Sequence, residues 1–325
     1  MNTIEQVKNQ THIDPFIKLW EDNYNRNLSG GLLASPKTRP LIFLANNLPY
    51  SNIPVVLVVA GPSVDKNIQH LKDYKDNCII ICADVVLFKL LEHGIKPDFV
   101  INVDPHESIT RFWKSLDTSD ITLICPTTTN SNTIKCWQGK IFFYNQMDIE
   151  GSAKGEALKK LIKPTKNWGN IFNRFFIGAT MFQISTIFRP SSIILVGYDF
   201  GFTDGKAYCD GFLDLKIYHL EDPEGSPEWQ RIINSFKAAE IRKDAEVKIS
   251  PTESIWTTKE LLLYKRTFVS LITSVKLPVI NSTEGGILVE IPRIPLKQSL
   301  TKYCSNPIEK SDTFSLKKRK RKKKK

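Results

Sequence analysis

The sequence predicts an α/β fold: a mostly parallel sheet flanked by helices, with an N-terminal appendage and a disordered basic C-terminal tail. Two observations carry that reading. Short, wholly apolar, β-rich runs recur from residue 55 to residue 125, the pattern of strands buried on both faces. Between them lie segments with apolar residues at helical spacing, so strand and helix alternate as in a right-handed βαβαβ unit.

The elements follow in chain order. Phe16, Leu19 and Trp20 mark a short amphipathic helix in the appendage, residues 1–50. After Pro54, residues 55–60 form the first buried strand, closed by the turn Gly61-Pro62-Ser63. Val64, Ile68 and Leu71 set a helix over 64–74, and residues 78–83 are the second strand. A helix over 84–93 carries Val85, Phe88 and Leu91 on one stripe and is closed by Gly94. Residues 98–104 are the third strand, with others expected at 121–125, 140–144 and 192–197. A long apolar helix is expected over about 171–188, and later helices over about 228–246 and 257–275, before a short strand at 278–280. The Rossmann-like domain is therefore set at 51–296, and residues 297–325 are an extension ending in the tail.

Composition narrows the function classes. Apolar residues at 41% and charged residues at 24% of 325 suit a globular core. The net charge of +11 is concentrated: residues 317–325 are all Lys or Arg, which leaves +2 on the rest. A solid like-charge block does not pack. It is either a solvated tail or a contact for an anionic surface or nucleic acid through counterion release. The body is not basic, so nucleic acid is not its expected substrate. No run approaches the roughly 20 apolar residues of a membrane helix, and the polar start is not a secretory signal, so a cytoplasmic protein is expected. Six cysteines lack paired spacing and are read as buried reduced thiols rather than zinc ligands.

Ligands of open parallel sheets bind beyond the carboxyl ends of the strands, and the candidate residues are those placed there. Gly61, Pro62 and Ser63 follow the first strand; Ser63 suits a helix N-cap and Gly61 lets a ligand approach, although a plain capped turn reads the same way. The chain carries neither GxGxxG nor GK[ST] at this turn. Asp84 follows the second strand, as a cap or a ribose contact. Asp104, His106 and Glu107 follow the third, a grouping suited to Mg²⁺, sugar hydroxyls or proton transfer, or to capping. Asn145 ends a later strand. Gly178, Ala179 and Thr180 make a small-residue patch, for close packing or for a base or phosphate. Asp199 is a third strand-end carboxylate. Thr283 and Glu284, before Gly285 and Gly286, form a loop that closes over a ligand or simply turns. His219 stands alone, as structural histidines usually do.

The segments VVAGPSVDKNI, CADVVLFKLLEHGIKPDFVINVDPHE, IGATMFQISTIFRPSSIILVGYDFGFTDGKAYCDG and VINSTEGGI together resemble the motility-associated-factor glycosyltransferases. Those share a domain with the MptE-like 6-hydroxymethylpterin diphosphokinases, and the motif order is also similar to that of bacterial single-domain sialyltransferases. The resemblance runs from about residue 55 to residue 291. It implies an inverting transferase with a CMP-activated nonulosonic acid (sialic- or pseudaminic-like) as donor and a protein or glycan acceptor. By similarity Gly61, Pro62 and Ser63 line the phosphates, Gly178, Ala179 and Thr180 face the cytidine, Asp199 holds the site together, and His219 corresponds to the general base. Two alternatives stand beside it. One is a diphosphokinase using ATP and Mg²⁺ through Asp104, Glu107 and Asp199; the other is a non-catalytic nucleotide- or glycan-binding module.

Overall fold

Nine strands join one sheet in the computed structural model, which describes residues 15–47, 51–148, 152–162, 165, 167–172, 176–211 and 243–308. In chain order they are β1 (Thr38–Pro40), β2 (Val55–Val58), β3 (Ile79–Ala83), β4 (Phe99–Ile101), β5 (Thr122–Pro126), β6 (Ile141–Met147), β7 (Asn170–Phe172) and β8 (Ile193–Val196). An antiparallel hairpin of β9 (Ala245–Lys248) and β10 (Ser254–Thr257) intervenes before the ninth, β11 (Val279–Asn281). Across the sheet the order is β1-β6-β5-β4-β3-β2-β8-β11, with β7 also on β6, and every pairing is parallel. The central strands are wholly apolar because both faces are covered: Val55, Val56, Leu57 and Val58 have no exposed surface.

Among the described residues the α-helices are α1 (Pro15–Ser29), α2 (Leu41–Asn47), α3 (Val64–Asn67), α4 (Leu87–Glu92), α5 (Ser131–Cys136), α6 (Ala153–Leu161), α7 (Ile177–Ile187), α8 (Lys259–Thr273) and α9 (Leu296–Tyr303). None among the described residues is long and apolar enough to cross a membrane. The α/β class and the strands expected over residues 55–125 are found in place. Cys78, Cys82, Cys125, Cys209 and Cys304 are buried free thiols, and Cys136 is half-buried.

Four expectations are corrected. The boundary at residue 50 is not a boundary in the fold, because β1 pairs with Ile141–Phe143 of β6. A Pro-ending triplet does not look like a strand, yet an edge position tolerates Pro. The apolar helix expected over 171–188 begins only at Ile177; residues 170–172 instead pair with the far half of β6, which β1 leaves uncovered. The helix expected over 64–74 is one α-turn and then a 3-10 helix, Ile68–Tyr74. Finally, the body continues past residue 296. Leu296 and Leu300 of α9 and Cys304 are buried, and Asn77 Nδ2 donates to the Cys304 carbonyl at 2.8 Å. The helix expected over 228–246 falls mostly outside the described residues, and its last two positions lie in β9. The basic tail also lies outside them.

Candidate functional site

From β2 the chain steps outward strand by strand to β6, then returns to place β8 on the other side of β2. Loops leaving such a reversal diverge and open a crevice at the carboxyl edge. A cavity of about 410 Å³ lies there. Its walls come from Val59, Ala60 and Gly61 after β2, Val85 after β3, residues 197–202 after β8, Ile177 and Gly178 in the first turn of α7, and Leu261 and Tyr264 of α8.

Asp199 holds these loops together. Ser63 donates to it twice, from Oγ to Oδ2 at 2.7 Å and from the backbone N–H to Oδ1 at 3.3 Å. Thr203 Oγ1 donates to Oδ1 and itself accepts the Gly286 N–H at 2.9 Å. The Asp199 carbonyl accepts the Ile287 N–H at 2.8 Å. Asp199 therefore joins the loops after β2 and β8 through its carboxylate and the loop after β11 through its carbonyl and Thr203. Burial pushes it up to about 6, against the opposing pull of its Thr203 and Ser63 donors. Gly61 must lack a side chain for this closeness, since a Cβ would stand 2.1 Å from Asp199 Oδ2 and 2.2 Å from the Gly197 carbonyl. Ser63 does not cap α3 with its side chain as expected; its hydroxyl is committed to Asp199.

The segment after β8 is fastened on its outer side. Lys89 pairs with Asp65 at 2.5 Å and donates to the Asp210 carbonyl at 3.0 Å. Cys209 N–H bonds the Ala60 carbonyl. An aromatic group backs the cavity: Tyr198 stacks on Phe268 at 4.9 Å, Phe176 stacks on Tyr264 at 5.5 Å, and Tyr198 donates its hydroxyl to the Gly178 carbonyl at 3.1 Å.

A second cavity, about 200 Å³, lies farther along the same edge, beyond β4 and β6. Asp104, Gln146, Thr180, Tyr144 and Trp20 line it, and Phe176 lines both cavities. Asp104 Oδ1 accepts from His106 Nδ1 at 2.7 Å and from the His106 backbone N–H at 2.8 Å. Residues of α1 reach this cavity because Asn23 and Asn27 donate to the carbonyls of Pro105, Thr127, Thr128 and Thr129, laying the helix across the strand ends.

The residues singled out in the sequence are thus divided. Gly61, Gly178 and Asp199 line the larger cavity, with buried Pro62 and Ser63 behind it; Asp104 and Thr180 line the smaller. Asp84, Asn145, Ala179 and Thr283 line neither. Asp84 accepts from Asn102 Nδ2 and the Val85 N–H, each at 2.8 Å, and burial pushes it up to about 7. Asn145 exchanges hydrogen bonds with Thr165, and Thr283 Oγ1 accepts the Tyr198 N–H. Glu284 accepts from Asn67 Nδ2 and from Leu296 N–H at the start of α9. Glu107 accepts from Asn132. Among the described residues no three His, Cys, Asp or Glu side chains gather as a metal-binding group, so Asp104, Glu107 and Asp199 do not meet around one point. His219 lies outside the described residues. The sequence reading missed Phe176, Tyr264, Gln146 and the α1 pair Phe16 and Trp20. Only the amphipathic stripe of α1 signalled any of them, without showing what it faces.

A family model described as 6-hydroxymethylpterin diphosphokinase MptE-like matches residues 30–205, just over half of the chain. A protein of Treponema pallidum (strain Nichols), itself described as uncharacterized, is 30% identical over 92 residues, which are 28% of this chain and 39% of that one. The structure of the MAf glycosyltransferase from Magnetospirillum magneticum AMB-1 aligns with a TM-score of 0.56 over 86% of this chain and 39% of its own, at 14% identity, a likeness of fold. Each match spans about two fifths of the other protein's length.

Proposed function

The chain belongs to the MptE-like family, and on that premise we propose that it is a glycosyltransferase of the motility-associated-factor type, taking a CMP-activated nonulosonic acid in the larger cavity. The observation that carries the reading is the position of that cavity: about 410 Å³ at the strand-order reversal, open to backbone at Gly61, Gly178 and Gly197. That volume suits a nucleotide-sized ligand. The first N–H groups of α7, at Ile177 and Gly178, have no acceptor within their own helix and favour the donor's phosphate. The likeness of fold to the MAf glycosyltransferase supports the transferase reading.

In the reaction, the acceptor hydroxyl oxygen bonds to the anomeric carbon as the bond from that carbon to the phosphate oxygen breaks, and CMP leaves with the electron pair. The acceptor proton passes to a base. Asp104, which lines the neighbouring cavity, and His106, hydrogen-bonded to it, are the pair proposed for that role. Asp199 positions the loops and takes no part in the proton transfer.

CMP is expected to raise the melting temperature, by the equivalent of about 2.7 kcal/mol at a hundredfold excess over its dissociation constant. No shift with CMP, CDP or their sugars, combined with Mg²⁺-dependent AMP release from ATP and a hydroxymethylpterin, would replace this reading with the diphosphokinase.

A further inference from the structure

We infer that residues 204–210, which follow β8, form an ion-paired strap that guards the larger cavity, so that ionic strength sets how readily a ligand enters. The inference holds for whatever the cavity takes, and so stands or falls apart from the transferase reading. Three observations carry it. The first is position. Ala207 and Tyr208 line the larger cavity, and the residues on either side of them are tied to the body of the fold. Before them, Thr203 Oγ1 donates to Asp199. After them, the Cys209 N–H donates to the Ala60 carbonyl at 3.0 Å and the Asp210 N–H to Asp65 Oδ2 at 2.9 Å. The stretch is therefore a bridge from the loop after β8 to the loop after β2 and to α3, and its middle closes one wall of the cavity. That wall carries a large ring: Tyr208 joins Tyr264 and Phe176 in the lining.

The second observation is charge. All three charged side chains of the strap are ion-paired. Asp204 meets Lys66 of α3 at 2.9 Å, and Lys206 meets Asp210 at 2.8 Å and Asp65 of α3 at 3.9 Å. Asp65 in turn pairs with Lys89 of α4 at 2.5 Å, and Lys89 Nζ also holds the Asp210 carbonyl at 3.0 Å. Exposure decides which of these contacts yield. The side chains of Lys66 and Asp204 are 42% and 62% exposed, and those of Lys206 and Asp210 45% and 67%, against 9% and 19% for Lys89 and Asp65. Exposed pairs are weak and are screened by salt, whereas part-buried ones are screened much less. Salt therefore loosens the middle of the strap while the Asp65–Lys89 pair keeps its far end in place. The third observation is the backbone. Asp204 and Gly205 have φ of 54° and 78°, two left-handed residues in a row, and a Cβ on Gly205 would meet nothing within 4 Å. The bend thus has room to move, as a local opening requires.

The test needs no ligand. Hydrogen exchange of the full chain is followed by mass spectrometry from about 0.01 M to about 1 M KCl, over which the Debye length falls from about 30 Å to about 3 Å. The amides of Gly205 and Lys206, bonded to the Phe202 and Thr203 carbonyls, are expected to exchange about threefold faster at the higher salt. In the double variant Lys66→Gln, Lys206→Gln the faster rate is expected already at low salt, with no further response. Protected amides in β3 show that each variant folds. Access is read with Val85→Cys, in the cavity wall, by the rate at which neutral N-ethylmaleimide alkylates the thiol so introduced. That rate is expected to rise with strap exchange, in the double-variant background as well as at high salt. Strap amides that ignore both salt and the two substitutions overturn the latch. A thiol that reacts at one rate throughout, while the strap amides respond, overturns the gate.

Discussion

Two buried aspartates, Asp84 and Asp199, sit at strand ends and are pushed up to about 7 and about 6, chiefly by burial. Raised carboxyl groups mean that the folded chain holds protons which the unfolded chain, at the ordinary value near 4, releases. Folding stability is then greatest below that ordinary value and falls as pH climbs through the window up to about 7, by as much as about 1.4 kcal/mol per pH unit for each group. Asp84→Asn removes one of the two contributions, so its stability is expected to decline less steeply between pH 4 and 7. Denaturant titrations at four pH values check this, and coincident slopes for variant and parent would refute it. The strand-end carboxylates were legible in the sequence because an acidic residue after a buried apolar run stands out. Their partners were not. Ser63 meets Asp199 across 136 positions, and Asn102 meets Asp84 through a residue type with no distinctive local pattern.

At the scale of elements, the loop after β11 shows how much of the site is backbone held against backbone. Gly286 has φ of 67°, and a Cβ there would stand 2.1 Å from the Asp199 carbonyl oxygen. Gly286→Ala therefore combines a left-handed conformation with an overlap that nothing flexible relieves, at a cost of about 2–4 kcal/mol. Gly205→Ala makes the control: its φ is 78° with nothing within 4 Å, so only the conformational cost of about 1–2 kcal/mol remains. Equal losses in the two variants, read from thermal unfolding, would mean that the Asp199 contact does not constrain the loop. The TEGG run was visible as a backbone-exposing turn, but its contact with the β8 loop was not. The misread elements share one cause. β1 and β7 are three-residue strands that exist only because β6 is long enough to leave edge on offer, and no local pattern specifies a strand whose reason lies in its neighbour.

At the scale of the molecule, the two cavities lie on one sheet edge and have Phe176 in common. That ring is fixed from three sides, stacked on Tyr264 and edge-on to Phe200 and Phe268, so occupants of either cavity act on the same body. A ring held this firmly gives the larger cavity a wall that is already ordered before a ligand arrives. Phe176→Leu keeps an apolar side chain but removes the stacked ring, so the affinity for CMP should fall, by about fivefold for a loss of about 1 kcal/mol. Titration calorimetry of CMP into the parent chain and the variant measures the change. If parent and variant bind CMP equally, the ring is only a partition between the two cavities and takes no part in holding the ligand.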